Sequence, residues 1–478
     1  MEVEKVLENY SSSLDLSVPR VAVILAAGHG KRLKSNIPKM LFEIWGVPTI
    51  LRVIQSAREG FKTPNQIIVV GQKWEKVVET VGKEKNRIFA YQKEQKGTGD
   101  AVKTALKYIP ENFSPSLFII PGDMGLIDRE TLSRFQEKFE KEDFDLLILT
   151  GEFSGPPQEN YYGRIISFGD EVLGIVEYRD ILNLSSPLHF SYNQMTLTYT
   201  PEELLKIKEF NAGVYAFKLL PLKKHIGKIK PDNVQKEYYL TDLVKIFREE
   251  NLRVGKMLAK DEKVLLGFND RVVLKEMNRI ARDRVYAQLR DIVTFEDPED
   301  FFIAEEAVNY ILHLAKKGPV DIFLGQGAYI GRGVKLNRGV SVARNSFLKG
   351  NITLGENVKI GENVKITTYP HQTLVIGDNT EILAGDIIKG RVEIGPNSRI
   401  ESWVRITGSD AHPTIIGKNV LIKGTTYIYG CIIEDEVQIE HCILKTKRIK
   451  KIVDEKGNIK RIRYIIPPPE GEEGIKEL

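Results

Sequence analysis

No apolar run in this 478-residue chain approaches the roughly 20 residues that a membrane-spanning helix needs. Cysteine is almost missing: only Cys431 and Cys442 are present. Two are too few for a disulfide framework or a cysteine-based zinc site, and they point to a reducing compartment. An excess of one charge is lacking too. A net +4 from 69 basic and 65 acidic residues gives no electrostatic case for nucleic acid as a partner. The opening MEVEKVLENYSSSLDL has neither the basic start nor the apolar core of a secretory leader. These absences predict a soluble cytoplasmic protein that engages neither membrane nor nucleic acid. What is present is an ordinary globular composition, 42% hydrophobic and 28% charged. One hydrophobic core does not suffice at this length, so two or three domains are expected.

From Val21 to about Asp270, short aliphatic runs alternate with longer amphipathic stretches. VAVILAA (21–27), QIIVV (66–70), SLFII (116–120) and DLLIL (145–149) read as buried strands. Between them PTILRVIQSARE, TGDAVKTALKYI and DRETLSRFQEKF carry helical periodicity, the last two opened by Thr98 and Asp128 as N-caps. Strands separated by helices predict crossover units, and continuously apolar strands predict a sheet covered on both faces. The expectation is an α/β domain with a doubly wound, mostly parallel sheet. Ligands of such sheets bind in the loops after the carboxyl ends of the strands. Asp270 to Asp291 then predicts one long helix, and AEEAVNYILHLAKK a second.

Beyond Gly318-Pro319 the period changes. Leu324, Ile330, Leu336, Val342, Leu348, Leu354, Ile360 and Ile366 are six residues apart. After a ten-residue step the series resumes from Ile376 to Ile406, and after another from Ile416 to Ile428. A six-residue period belongs to hexapeptide repeats, which predict a left-handed parallel β-helix. Three hexads make a triangular coil, with the aliphatic residue inside and glycine permitting the corner. The clear hexads amount to about five to six coils. Ile366 and Ile406 are six hexads apart, so both long steps should leave the same corner, two strand spacings or roughly 10 Å apart. These loops carry His371 and His412. The segment KTKRIKKIVDEKGNIKRIRYII leaves the register and reads as a hairpin with nine basic and two acidic residues between Lys445 and Arg463, a solvated face. The predicted organisation is a catalytic domain over 19–270, a helical linker over 271–320, the β-helix over 321–444, and a basic hairpin with its tail over 445–478.

The first strand runs into LAAGHGKRLKSNIPKML. Gly28 and Gly30 allow a tight turn whose backbone N–H groups can approach phosphate oxygens, and Lys31, Arg32 and Lys39 add cations. GxxxxGK[ST] is absent, as is the third glycine of the dinucleotide fingerprint. Asp123 follows the strand SLFII at its carboxyl edge. Asp128 can cap the next helix by itself, so Asp123 is a candidate for chemistry.

With these residues in view, LAAGHGKRL…PKMLFEIWGVP resembles the signature of sugar-nucleotide pyrophosphorylases, among them the bacterial N-acetylglucosamine-1-phosphate uridyltransferases. YQKEQKGTGDAV, PGDMGLID, YYGRIISF, GIVEYRD, FNAGVYAF, QKEYYLTDL and GFNDRVVL follow in the order of that family. The hexapeptide domain matches its bifunctional members. The resemblance implies that Leu25, Ala26, Ala27 and Gly28 wrap the nucleotide and that Arg32 faces the leaving pyrophosphate. Lys39 would neutralise phosphate charge. Gln92 with the backbone at Gly97 and Thr98 would read uracil, beside Gly122. Asp123 and Asn269 would bind Mg²⁺, and Gly163, Glu177 and Asn211, with Tyr239 and Thr241, would surround the sugar. The implied reaction joins UTP and N-acetylglucosamine-1-phosphate to give UDP-N-acetylglucosamine and pyrophosphate, for cell-envelope (peptidoglycan) precursors, in a homotrimer held by the β-helix. A pyrophosphorylase for another sugar-1-phosphate or nucleotide is the alternative within the family. A non-catalytic nucleotide-sugar-binding scaffold is the alternative outside it.

The sequence also departs from the pattern. Lys31 stands where the family has a small hydroxyl residue, Pro121 where an aromatic is frequent, and MGL replaces VPL. Ile181 to Tyr199 is an extra stretch between VEYRD and FNAG. The GHLTYLGD-like and NYDG-like segments of the family's acetyltransferase are absent. A scaffold without acetyl transfer is therefore expected, with a remodelled acyltransferase as the alternative.

Overall fold

The computed structural model describes residues 2–28, 30, 33–192 and 195–464. The chain forms two compact units, divided between Arg279 and Ile280 within the helix Arg271–Leu289. No helix among the described residues is long and apolar enough to cross a membrane.

The first unit is built on a nine-stranded sheet. From one edge its strands are Arg87–Tyr91, Gln66–Val70, Arg20–Ala26, Ser116–Pro121, Glu209–Lys218, Leu146–Glu152, Val254–Leu258, Glu171–Val176 and Arg164–Phe168. The first four run parallel, as do Leu146–Glu152 and Val254–Leu258. The long strand Glu209–Lys218 is wedged antiparallel between the two parallel blocks, so the sheet is mixed beyond the doubly wound part. Alternation along the buried strands divides the core. Ala22, Ile24 and Ala26 join one apolar cluster, with Phe61 and Phe135 from the helices on that face. Val21 and Val23 point into the other, with Val102 and Phe247. That division is why these strands read as apolar throughout. Asp128 caps the helix Arg129–Lys141 by accepting from the Thr131 N–H at 2.7 Å. Thr98 is not a cap: the helix starts on it after Gly97, and its hydroxyl accepts from the Leu240 N–H instead.

The second unit is a parallel β-helix of three sheets with eight, eight and seven strands. It is longer than the regular hexads indicate. Val293–Phe295 and Phe301–Ile303, inside the stretch expected as a helical linker, begin two of the sheets. The helix Glu305–Ala315 takes the place of a first strand in the third, and Tyr310 bonds Asn337 beneath it. At the other end the interior residues continue as Ile433, Ile439, Leu444 and Ile449, with steps of five and six residues that hide the period. The basic hairpin closes at Asp454–Asn458, and Ile462 then pairs alongside Ile439. Ile366, Ile388 and Ile406 lie on successive strands of one sheet, so both long loops leave the same corner as the count predicts. His371 Nε2 reaches Asp410 at 2.8 Å across them.

Glycine permits the corner at some turns, but the glycine directly after each aliphatic residue is not the one in the left-handed backbone. Asparagine and glycine share the left-handed backbone of the corners: Asn357, Asn363, Asn379, Asn397 and Asn419 at φ of 55–57°, and Gly327, Gly333, Gly339 and Gly385 at 69–78°. The glycines after the aliphatic residues answer a different constraint. A Cβ on Gly377 would lie 2.6 Å from the Pro396 nitrogen, and one on Gly395 would lie 2.6 Å from the Gly417 carbonyl carbon. Coil-on-coil crowding selects them.

Candidate functional site

In the doubly wound part the chain passes from the strand Arg20–Ala26 to one side and returns beside it as Ser116–Pro121. Their carboxyl ends form the switch point where such sheets bind ligands. Gly122 donates to the Leu25 carbonyl at 2.9 Å, where any side chain at 122 would crowd the contact. Asp123 is thereby placed at the mouth. Lys39, almost fully buried, comes from the single 3₁₀ turn Lys39–Leu41. Its ammonium donates to Asp123 Oδ2 at 2.5 Å and to Asn269 Oδ1 at 2.8 Å, and lies 5.5 Å from the Phe268 ring centre. Two oxygen acceptors from distant parts of the chain thus converge on one cation. The pair is sparse, with no group of three or more His, Cys, Asp or Glu converging among the described residues. Two hard oxygen ligands suit Mg²⁺, which fills its remaining positions with water and phosphate.

From this cation a cleft of about 470 Å³ opens between two walls. One wall holds Leu25, Ala27, Gly28, Gln92, Gly97 and Thr98. Gln92 is buried, and its amide N–H groups donate to Asp100 at 2.7 Å and the Gly97 carbonyl at 3.2 Å. That turns its carbonyl end toward the cleft. Gly97 has φ +111°, and a Cβ there would meet the Tyr238 carbonyl at 2.6 Å, so only glycine fits. Gln95 anchors the first loop by donating to the Ala27 carbonyl.

The other wall is set by a break in pairing. The register shifts between Asn211 and Tyr215, where Gly213 adopts φ +77°. Gly213 N–H donates to Asn211 Oδ1, and Asn211 Nδ2 donates to the Tyr215 hydroxyl at 2.7 Å. Asn211 N–H also bonds the Gly163 carbonyl. Gly163 has no side chain where the Glu177 carboxylate sits, 3.1 Å from the position of its missing Cβ. Burial pushes the Glu177 carboxyl up to about 7, helped by Asp180 and Asp242 and opposed by the Thr241 hydroxyl. Asp242 is raised to about 6, first by burial and then by Asp180. Burial also raises Tyr215 and Tyr239.

Of the residues singled out from sequence, Leu25, Ala27, Gly28, Lys39, Gln92, Gly97, Thr98, Asp123, Glu177, Asn211, Tyr239 and Thr241 line this one cleft. Asn269 holds Lys39 from beside it, and Gly163 and Gly122 support it from behind. Ala26 points into the core cluster. Arg32 lies outside the described residues. Tyr215, Gln95, Gln235 and Glu237 also line the cleft without having been singled out. The tyrosine of FNAGVY was the readable signal. It passes for one more core residue of its strand, although its hydroxyl accepts from Asn211 at the cleft.

Residues 22–189, within the first unit, match the family of MobA-like NTP transferase domains. The curated relatives are more particular: the chain is similar to bifunctional GlmU proteins. It is 38% identical over 283 residues to the "Bifunctional protein GlmU" of Syntrophotalea carbinolica, covering 59% of this chain and 56% of that one. With the protein of the same name from Caldanaerobacter subterraneus subsp. tengcongensis it shares 35% over 288 residues, covering 60% and 57%. The chain therefore spans just over half the length of the curated relatives it matches. Residues 329–449 match the GMPPB C-terminal domain family. A solved UDP-glucose pyrophosphorylase in complex with UDP-glucose overlaps 56% of this chain and 99% of its own at a TM-score of 0.42 and 16% identity.

Proposed function

We propose that the chain is a uridylyltransferase that joins UTP to N-acetylglucosamine-1-phosphate, releasing pyrophosphate, in the cytoplasm. The observation that carries this reading is the Lys39 ammonium held between Asp123 and Asn269 at the switch point, with Gln92 on one side and Glu177 and Asn211 on the other. The Gln92 carbonyl would accept from the uracil imide N–H, with the backbone of Gly97 and Thr98 completing the base edge. The backbone from Leu25 to Gly28 would follow the phosphates. Asn211 and Glu177 would hold the sugar hydroxyls and amide, with Gly163, Tyr239 and Thr241 shaping the pocket. Asp123 and Asn269 are the residues that would hold Mg²⁺, which when bound offsets the charge of the triphosphate.

A sugar-phosphate oxygen attacks the α-phosphorus, the bond to the bridging α–β oxygen breaks, and pyrophosphate departs in line. No covalent residue is required; positioning and charge neutralisation do the chemistry. Lys39 would leave its two oxygens for the phosphates, and Arg32 would face pyrophosphate. A homotrimer through the β-helix belongs to the same reading. Its support is an outward row on one sheet, where Phe302, Tyr329 and Phe347 stack at 4.4 and 4.5 Å and half-buried Ile387, Tyr427 and Ile443 recur further along, with exposed Lys365 and Arg405 in the same row. Pyrophosphate release across a panel of four nucleoside triphosphates and several sugar-1-phosphates tests the assignment. A clear preference for UTP with N-acetylglucosamine-1-phosphate is expected. Preference for another pair would redirect it, and no release with any pair would remove it.

A further inference from the structure

On its sugar side the cleft shares a wall with a second, partly open chamber. Glu177, Tyr239 and Thr241 line it from one side and line a second chamber, about 530 Å³, from the other. The roof of that chamber belongs to the extra stretch, which folds as the antiparallel hairpin Leu188–Tyr192 with Met195–Tyr199. The roof is firmly docked. The Phe190 ring fills the place of the side chain Gly174 lacks, 2.4 Å from where a Cβ would stand. Tyr192 stacks on Phe168 at 4.7 Å and meets the Arg248 guanidinium at 5.8 Å. Leu188, Leu197 and Tyr199 pack on buried Leu173, Val176 and Leu204.

The lining is not that of an apolar pocket. His189 and Ser191, both exposed and the first 2.9 Å from the Thr198 hydroxyl, come from the hairpin, Asp180 and Asp242 from the opposite side, and Lys245 and Arg248 from the helix Asp242–Glu249. Donors and acceptors are interspersed, with the Tyr239 and Phe190 rings between them. This mixture suits a ligand with many hydroxyls and apolar C–H faces. Glu177, which titrates near 7, can donate as well as accept at the shared wall.

We propose that the chamber under the hairpin binds a saccharide group, adjoining the sugar end of the cleft across the wall of Glu177, Tyr239 and Thr241. The inference rests on the sugar-nucleotide reading above and extends it. The saccharide has two sources: a second sugar unit carried by the sugar phosphate, or a free saccharide acting as an effector.

Two substitutions remote from the cation site separate the outcomes: Ser191→Trp fills the chamber, and His189→Ala removes a polar roof group while keeping the volume. kcat/KM is measured in the full chain for N-acetylglucosamine-1-phosphate, for a disaccharide 1-phosphate ending in the same sugar, and for the first with millimolar free disaccharide added. If the group is attached, wild type uses both phosphates within about fivefold, and Ser191→Trp loses about tenfold or more on the disaccharide phosphate alone. If it is free, added disaccharide shifts wild-type kcat/KM about threefold or more and leaves Ser191→Trp unmoved. Either way His189→Ala weakens the same response, which carries the test should Ser191→Trp not fold. Turnover of the simple sugar phosphate with rejection of the disaccharide phosphate and no effect of free disaccharide overturns the chamber alone. No turnover of any sugar phosphate overturns the reading beneath it, and the chamber with it.

Discussion

Lys39 stands where a doubly charged ion would otherwise be called for, and the two oxygens around it, from Asp123 and Asn269, come from segments about 150 residues apart in sequence. If Asp123 is the anionic anchor of that position, Asp123→Ala should lower the nucleotidyl-transfer rate by about a hundredfold or more, the scale of losing one preorganised electrostatic contact. Steady-state kcat at saturating substrates checks this; a wild-type rate would remove Asp123 from the chemistry. Glu177 predicts a pH effect. Its carboxyl is neutral below about 7 and ionised above, so KM for the sugar phosphate should change across pH 6–8 in wild type, and Glu177→Gln should remove the part of that change centred near 7. At this scale much of the cleft was legible, because glycines at a close approach and an acid after a buried strand leave marks in sequence. Tyr215 and Gln235 were not, because Tyr215 reads as one more core residue of its strand and Gln235 lies in a loop with no period.

The repeat units carry their own tests. Asn379 has a left-handed backbone and Gly377 needs an absent side chain, so the two positions should respond to substitution to different degrees. Asn379→Gly should cost at most about 1 kcal/mol, since glycine adopts that φ freely. Gly377→Ala places a methyl 2.6 Å from a backbone nitrogen and should cost about 2 kcal/mol or more, read as a drop in Tm. Inside the prism Asp386 is fully buried between Val364 and Val404 of the neighbouring coils. Its Oδ1 accepts from the Val404 N–H, Oδ2 has no partner, and burial pushes the carboxyl up to about 8. A folded value above the unfolded 3.8 means the native state keeps a proton that the unfolded chain has released. Stability from this group is therefore full below about pH 4 and falls as pH rises toward 8, by on the order of a few kcal/mol. Asp386→Asn should flatten that dependence in thermal melts from pH 5 to 9; an unchanged slope would show that Asp386 is not its source. The six-residue period made these elements readable. It failed at both ends, where a helix replaces a strand and steps of five residues break the count.

For the whole molecule, the outward row of stacked rings on one sheet of the β-helix predicts self-association. Light scattering at micromolar concentration should give three times the chain mass, and a monomer mass would contradict it. The two-unit plan was readable because the period changes from strand-and-helix alternation to hexads. The place of the boundary was not, because the helix Arg271–Leu289 runs through it without a break in its pattern. The central claim is that the cation position between Asp123 and Asn269 serves nucleotidyl transfer to a sugar phosphate. The most direct measurement is pyrophosphate release from UTP and N-acetylglucosamine-1-phosphate, with Mg²⁺ and after its removal by EDTA. The account predicts release with the metal, equimolar formation of UDP-N-acetylglucosamine, and loss of both on chelation. Turnover unaffected by EDTA, or none with the metal present, would contradict it.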